Sequence, residues 1–500
     1  MIIDHSRPRD GRPAVRHVPA LVFPGGAVKL IPQRPTFHQL FRSRMTSSSR
    51  PNVLVFFTDQ QRWDCSALHG NPLDLMPNYD RLARAGTHLR NSFTCQPLCG
   101  PARACLQTGV YPTQLRSFLN GQGLPTAPRT LAHHFKDAGY RTGYIGKWHL
   151  APHPLEGAVP ENLRGGYEDW LAANALEFVS DAYDCRLYDN DNAEQRLPGY
   201  RVDALTDAAI RYLATPRAQP FFLFISYLEP HHQNHRDDYP APDGYAERYR
   251  NRWVPPDLAA LGGTTQAQLA GYYGMVKRLD EALGRIYDAL KSSGQLENTI
   301  LLFTSDHGCH FKTRNGEYKR SCHESSIRVP TMIHGPGFMS GGERTELVSL
   351  IDLPPTLLEA AGVPVPSEMQ GQSLMPRLRT GLAAPWPDDV FIQISEAQTA
   401  RAIRTRRWKY CVSAQSADPL EMFDQPGWHV YHEEALYDLL SDPYELVNLA
   451  GCEAHAETSR VLRDRLLHRM TAAGEPRAEI VPAPPFDAGQ RTVTPEEARS

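Results

Sequence analysis

Three apolar runs of strand length limit what this chain can fold into more than any other feature. They lie within residues 52–58, 219–230 and 298–308, and each passes into a loop with acidic or imidazole side chains. Short apolar runs rich in Val, Ile and Phe are typical of strands that are buried on both faces of a largely parallel sheet. The runs therefore predict an α/β fold.

Segments of helical character alternate with these runs. Residues 76–86 and 129–139 each end in Gly, which commonly terminates a helix, and a long helical stretch covers about 266–291. Residues 140–146 supply another short strand. Beyond residue 385 the sequence becomes more polar and hairpin-like, and a further helix follows.

The predicted organisation has three parts. Residues 1–48 are expected to be a disordered extension, residues 49–385 a main α/β domain, and residues 386–500 a smaller α+β subdomain with an antiparallel sheet and a Pro-rich tail. A chain of 500 residues is long enough for one large core and a smaller appended unit.

Bulk composition excludes some classes of function. A formal net charge of −3 and a pI of 6.7 give no overall attraction to nucleic acid or an anionic membrane. No apolar run approaches the roughly 18–20 residues of a membrane-spanning helix. The first 44 residues contain no convincing secretory segment, so we expect a cytoplasmic location, with export left open.

The cysteines favour reduced thiols over a structural zinc site. The nine cysteines are an odd count in a chain without a convincing signal peptide. Cys95, Cys99 and Cys105 lack the C-x2-C spacing that structural zinc sites commonly use.

Polar residues follow the ends of the three predicted strands. Asp59 follows the first run, His231 the second, and Asp306 with His307 the third. Ligands of open α/β sheets bind at the carboxyl ends of the strands, so one site could collect these side chains. Taken alone, Asp59 would be better interpreted as a turn residue or a helix cap, and the segment at 306–307 makes that less attractive.

Residues 95–109, CQPLCGPARACLQTG, contain Cys99 four residues before Arg103. A Cys that leads into a helix N-terminus beside an Arg occupies an electropositive, activating position. If this short C-x-P-x-R segment stood alone, a buried structural thiol would be an equally good interpretation of Cys99.

Four further segments accompany the one that contains Cys99. They are GYIGKWHL at 143–150, EPHHQNH at 229–235, GEYKRSCHESSIRVP at 316–330 and LYDLLSDPYELVNLA at 436–450. Together with C-x-P-x-R and L-x-T-G at 99–109, they resemble the type I sulfatases of the alkaline-phosphatase-like superfamily. The resemblance spans roughly residues 50–450. It implies a mixed, mostly parallel sheet sandwiched by helices, a small C-terminal sheet, and sulfate ester hydrolysis by a formylglycine made from Cys99.

The resemblance also implies a metal site. Its ligands would be Asp59, Gln60, position 99, Asp306 and His307. The family commonly has paired Asp at the first segment and Asp-Asn at the second, so Gln60 and His307 are departures. Oxygen ligands favour Ca²⁺, and an imidazole ligand makes Mn²⁺ the alternative.

The remaining roles are implied residue by residue. Lys147 and His149 are two positions apart and would point to one side of an extended segment, although a solvent-facing Lys and a packed His are the alternative. Glu324 and Arg328 are expected to form a supporting ion pair. The catalytic candidates are Cys99, Arg103, Lys147, His149, His231 and Lys319, and the substrate-binding candidates are His232 and Asn120, which could equally be a turn residue.

We therefore predict a sulfatase that is matured by a formylglycine-generating enzyme. A sulfated carbohydrate is the expected substrate, because the family commonly processes such esters and because residues 238–253 are polar and aromatic. The rivals are a phosphonate monoester or phosphodiester hydrolase, which Gln60 and His307 keep open, and a noncatalytic metal- or glycan-binding relative.

Overall fold

The three apolar runs form central strands of a ten-stranded sheet in the structure, a computed structural model. The structure describes residues 50–339, 341–416, 422, 425–487 and 499. The extension predicted over 1–48 lies outside the described residues, as does most of the tail beyond 487.

The large sheet is mixed and mostly parallel, as predicted. From edge to edge its order is β10-β2-β9-β8-β1-β7-β3-β4-β5-β6, and the five central strands from β8 to β4 are parallel to one another. The strands are β1 (Asn52–Thr58), β2 (Thr87–Phe93), β3 (Arg141–Lys147), β4 (Asp169–Ala173), β5 (Cys185–Tyr188), β6 (Glu194–Leu197), β7 (Phe221–Ser226), β8 (Thr299–Ser305), β9 (Met332–His334) and β10 (Gly342–Ser349).

Helices connect these strands, and the long helix predicted near 266–291 runs from Thr265 to Ser292. The helices of this part are α1 (Pro77–Ala85), α2 (Cys99–Thr108), α3 (Pro112–Leu115), α4 (Leu131–Asp137), α5 (Leu176–Val179), α6 (Arg201–Ala214), α7 (Tyr245–Tyr249), α8 (Pro256–Ala260), α9 (Thr265–Ser292), α10 (Glu324–Ile327), α11 (Leu353–Ala360) and α12 (Met375–Thr380).

Alternation along β1 divides the core between the two faces of the sheet. Leu54 and Phe56 join a buried cluster that includes apolar residues of α1, α6 and α9. Val53, Val55 and Phe57 join another that includes residues of α2, α4 and α11. Because successive side chains of a strand point to opposite faces, an unbroken apolar run requires helices on both sides.

A separate five-stranded sheet follows in the C-terminal part. Its strands are β11 (Asp389–Ile394), β12 (Ala400–Thr405), β13 (Trp408–Ala414), β14 (Val430–Asp438) and β15 (Glu479–Val481). All neighbours are antiparallel except β14 and β15. Helix α13 (Ala456–Ala472) packs on it through Leu462, Leu466 and Met470. Among the described residues, no helix combines the length and hydrophobicity needed to cross a bilayer.

The layered core predicts that two leucine-to-alanine substitutions differ greatly in their effect on the free energy of unfolding. Leu301 is fully buried in β8, whereas Leu440 is 73% exposed after β14. Leu301→Ala should lower the free energy of unfolding by about 3 kcal/mol because it leaves a cavity, and Leu440→Ala should change it by less than about 0.5 kcal/mol. Urea unfolding of both variants tests this, and equal losses would contradict the layering.

Candidate active site

The carboxyl ends of the central strands bring the predicted site residues together. Parallel pairing aligns Thr58 of β1 with Ser305 of β8, so the next residues, Asp59 and Asp306, are neighbours. Lys147 ends β3, and His231 lies in the loop that follows β7. The expected convergence at one edge of the sheet therefore follows directly from strand register.

Cys99 is the first residue of α2 and is 2% exposed. Its sulfur lies 3.6 Å from Asp59 Oδ1, 3.3 Å from His307 Nε2 and 3.0 Å from Lys319 Nζ. Burial opposes the thiolate, but Lys147, Lys319 and His307 together hold the pKa of the thiol well below its usual value. Position 99 therefore lies at an electropositive helix terminus inside the protein.

Four side chains meet in an arrangement that could hold a metal ion. Ligand atoms of Asp59, Cys99, Asp306 and His307 all lie within 4.8 Å of one another, and all four residues are buried. The Nδ1–H of His307 donates to the Gly308 carbonyl at 2.9 Å, which leaves the Nε2 lone pair directed at the site.

Gln60, the other expected ligand, borders this cluster. Its backbone N–H donates to Asp306 Oδ1 at 2.9 Å, and its side-chain Oε1 accepts from Lys319 Nζ at 3.2 Å. Its Nε2 donates to the Tyr239 hydroxyl at 3.0 Å, so the amide oxygen faces Lys319. Two carboxylates and an imidazole nitrogen beside position 99 form a donor set that fits a divalent cation, and the Gln60 amide oxygen is bound to Lys319 at its border.

Arg103 contacts both carboxylates of this cluster. Its Nη2 donates to Asp59 Oδ2 at 2.9 Å and to Asp306 Oδ2 at 3.2 Å, while Nη1 donates to Ser226 Oγ at 2.7 Å and to the Lys147 carbonyl at 3.0 Å. The guanidinium therefore links the two carboxylates beside position 99, and its predicted catalytic role stays a prediction.

Lys147 has a second acidic partner that the sequence did not indicate. Its Nζ lies 2.7 Å from Asp59 Oδ2 and 2.8 Å from Glu177 Oε1, and all three side chains are buried. Glu177 lies in the short helix α5, outside every quoted motif. A carboxylate in an ordinary polar segment carries no sequence signal for this role; only the folded chain places it against Lys147.

The surrounding charges shift the pKa values of Asp59 and Asp306 in opposite directions. Burial and Cys99 oppose ionisation of Asp59, but Lys147, His231 and Arg103 hold its pKa well below the ordinary range. Burial and the neighbouring Asp59 raise the pKa of Asp306 to about 7. Two like charges this close cannot both ionise freely without further positive charge.

Lys319 and His231 also lie close to the Cys99 sulfur. Lys319 Nζ is 3.0 Å from His231 Nε2 as well as from Cys99. The Nδ1–H of His231 donates to the His232 carbonyl at 2.6 Å, which makes Nε2 the acceptor of the Lys319 ammonium. Burial and Lys319 lower the pKa of His231. The half-buried His232 ring stacks on His231 with centroids 4.3 Å apart.

His149 is buried and lies two residues beyond the end of β3. Neither of its ring nitrogens has a hydrogen-bond partner among the described residues, so both remain available to a proton. Its φ of 58° lies in the left-handed region, which residues other than glycine rarely adopt. Strained backbone conformations of this kind cluster at functional sites.

Asn120 supports the helix that carries Cys99. Its Oδ1 accepts from the Gly100 N–H at 3.0 Å, in the first turn of α2. Its own N–H donates to Glu396 Oε1 at 2.8 Å. The Asn120 side-chain oxygen therefore binds the first turn of α2, and the predicted contact of Asn120 with substrate stays a prediction.

Two other expectations have clear outcomes. Glu324 and Arg328 do form an ion pair, with 3.6 Å between Oε2 and Nη1. Within the aromatic loop 238–253, Tyr239 borders the site, because its hydroxyl accepts from Gln60 Nε2. Tyr249 is instead buried in the core, and the Tyr245 hydroxyl donates to Glu281.

Comparison with known proteins identifies the family. The family model described as Sulfatase matches residues 51–363, and one described as N-sulphoglucosamine sulphohydrolase, C-terminal, matches residues 316–472. The chain is 30% identical to an ulvan-active sulfatase of Formosa agariphila over 448 residues, covering 85% of this chain and 82% of that protein.

Two further relatives agree. An N-acetylglucosamine-6-O-sulfatase of Bacteroides thetaiotaomicron is 25% identical over 507 residues, with coverage of 84% of this chain and 86% of the relative. A crystal structure described as that of a sulfatase from Bacteroides fragilis superposes with a TM-score of 0.73 at 24% identity, covering 86% and 98% of the two chains. The chain belongs to the sulfatase family, with the alkaline-phosphatase-like fold, and is a sulfuric ester hydrolase.

The buried pair between Lys147 and Glu177 should be strongly coupled. Glu177→Leu alone should lower the free energy of unfolding by about 3 kcal/mol, because it leaves the Lys147 ammonium buried with one carboxylate fewer. Lys147→Met in the same chain should recover part of that loss. A double-mutant cycle measured by urea unfolding tests this.

The exposed pair Glu457–Arg460 on α13 is the matched control, and its cycle should show no measurable coupling. Purely additive effects at Lys147 and Glu177 would show that the two charges do not depend on each other.

Proposed function

We propose that this sulfatase uses formylglycine at position 99, produced from Cys99 by a formylglycine-generating enzyme. The supporting observation is the position of the Cys99 sulfur, which begins α2 and faces Asp59, His307 and Lys319 at once. A buried structural thiol would not require two carboxylates, an imidazole and an ammonium around it.

The chemistry of sulfate transfer explains why an aldehyde would replace the thiol. A thiolate that attacked sulfur would leave a thiosulfate ester with no easy exit. In a hydrated aldehyde, one hydroxyl oxygen attacks sulfur, and the bond from sulfur to the alcohol oxygen breaks. The second hydroxyl then loses its proton, the carbon–oxygen bond to sulfate breaks, the aldehyde forms again and water rehydrates it.

The chain's own groups supply the proton transfers that these steps need. Asp306 or another carboxylate of the metal cluster takes the proton of the attacking hydroxyl, since both carboxylates lie beside position 99. His231 and Lys319 assist the leaving alcohol oxygen. His149, with both ring nitrogens unpartnered among the described residues, accepts the proton of the second hydroxyl.

Asp59, Gln60, Asp306, His307 and the modified position 99 would hold the cation. We propose Ca²⁺, with Mn²⁺ as the alternative because His307 contributes an imidazole nitrogen. When bound, a divalent cation supplies positive charge to the sulfate oxygens and to the nucleophile.

We further propose a sulfated saccharide as the substrate. The support comes from relatives, among them the N-acetylglucosamine-6-O-sulfatase of Bacteroides thetaiotaomicron. The rival substrate class is an aryl or alkyl phosphonate monoester or phosphodiester, which the departures at Gln60 and His307 keep open.

Cys99→Ala should abolish turnover while leaving the fold intact, because it removes the nucleophile and only a small part of the core. Turnover of an aryl sulfate and thermal unfolding should be compared with wild type after coexpression with a formylglycine-generating enzyme. Peptide mass spectrometry should find the side chain CHO in place of CH₂SH in wild type. Near-normal activity of the variant would refute the assignment.

Removal of the cation should eliminate activity reversibly. After dialysis against a chelator, the aryl sulfatase activity should be lost, and Ca²⁺ should restore it. Recovery by Mn²⁺ but not Ca²⁺ would reverse the proposed order of the two ions. Full activity in the chelated protein would contradict a metal-dependent site.

Matched substrates discriminate sulfate from phosphonate chemistry. The aryl sulfate should have a higher kcat/KM than the phosphonate with the same leaving group, and a panel of sulfated saccharides should contain a substrate better than either. A large preference for the phosphonate would favour the rival function.

A further inference from the structure

The loop that carries Lys319 is conformationally strained. It connects β8 to α10, with Asp306 and His307 at its beginning and Lys319 near its end. Phe311, Lys312 and Arg320 have φ values of 50°, 59° and 67°. Non-glycine residues adopt this left-handed conformation where their surroundings enforce it. The position of the Lys319 ammonium therefore depends on contacts that hold the loop.

The C-terminal part supplies such contacts on both sides of Lys319. Five residues before it, Arg314 donates to the Tyr444 carbonyl at 2.7 Å and to the Glu445 carbonyl at 2.8 Å. Five residues after it, the Glu324 N–H donates to Glu445 Oε2 at 2.7 Å. One residue, Glu445, thus holds both flanks of the catalytic loop.

Glu445 is itself fixed by a buried ion network. It is 2% exposed, and its Oε1 accepts from Lys409 Nζ at 2.5 Å. Lys409 is fully buried and also pairs with Glu324 at 2.9 Å, and Arg404 pairs with Glu324 at 3.3 Å. Because Lys409 and Arg404 belong to β13 and β12, the network ties the loop to the second sheet.

We propose that Glu445 and Arg314 are positioning residues that act on catalysis through Lys319. They keep its ammonium within hydrogen-bonding distance of position 99, His231 and Gln60. This inference rests on the proposed function of Lys319 at the ester, and it gives the segment LYDLLSDPYELVNLA a role in the reaction. A purely architectural clamp would hold the two sheets together without affecting the placement of Lys319.

Arg314→Met tests the clamp because it removes both bonds to the carbonyls and leaves the buried ions in place. The expected result is about a tenfold lower kcat with a smaller change in KM, since a misplaced group near the reacting atoms slows the chemical step. Arg314→Lys, which retains one possible donor, should recover part of the rate. Glu445→Gln should lower kcat in the same way.

Arg217→Met is the matched control. Arg217 also donates to two main-chain carbonyls, those of Tyr212 and Thr215. It lies just before β7, at the amino ends of the parallel strands, whereas the site lies at their carboxyl ends. This variant should leave kcat unchanged. Hydrogen exchange should increase within 308–323 in Arg314→Met and not in Arg217→Met.

The decisive measurement is a double-mutant cycle with Lys319→Ala on an aryl ester with a good leaving group. If Arg314 acts through Lys319, adding Arg314→Met to Lys319→Ala should lower kcat by less than twofold. A full tenfold loss in both backgrounds, or an unchanged kcat in Arg314→Met, would overturn the inference. The wild-type preference between aryl sulfate and phosphonate tests the proposed function separately, because the cycle can be run on whichever ester the enzyme hydrolyses.

Discussion

Burial of two adjacent carboxylates is the constraint on which the rest of the site depends. Strand pairing places Asp59 beside Asp306 in the protein interior, where their mutual repulsion is weakly screened. Arg103 bridges them from α2, and Lys147 reaches Asp59 from the end of β3. The docking of α2 is therefore electrostatic as well as apolar, and it brings Cys99, four residues before Arg103, to the same point.

Close approach of the neighbouring strands makes this geometry possible. Gly146 has a φ of 109°, and a Cβ there would lie 2.0 Å from the Ser226 carbonyl oxygen of β7. Only glycine allows the end of β3 to lie so near β7. The next residue, Lys147, can then point into the site, while Ser226 Oγ accepts from Arg103. The G-K-W-H-L segment thus combines a backbone requirement with a charge requirement.

Much of the fold and of the site could be predicted from the sequence because both follow local patterns. The runs 52–58 and 298–308 gave β1 and β8, and residues after parallel strands necessarily share one edge of the sheet. What could not be predicted depends on contacts between distant segments. Glu177 has no motif around it, and the bonds of Arg103 and Asn120 depend on how α2 packs. Glu445 was visible within a motif, but its contact with the loop of Lys319 joins segments more than a hundred residues apart.

The balance of buried charge explains why such a site calls for a cation. Asp59, Asp306 and Glu177 contribute three negative charges, and Arg103, Lys147 and Lys319 contribute three positive ones. When all six groups are ionised these charges cancel, so the side chains alone supply at most a small excess of positive charge for an anionic ester. Burial and the neighbouring Asp59 raise the pKa of Asp306 to about 7, so this carboxyl is partly protonated near neutral pH. A divalent ion in place of that proton would ionise Asp306 fully and leave the pocket net positive, which is the condition for binding a singly charged ester away from water.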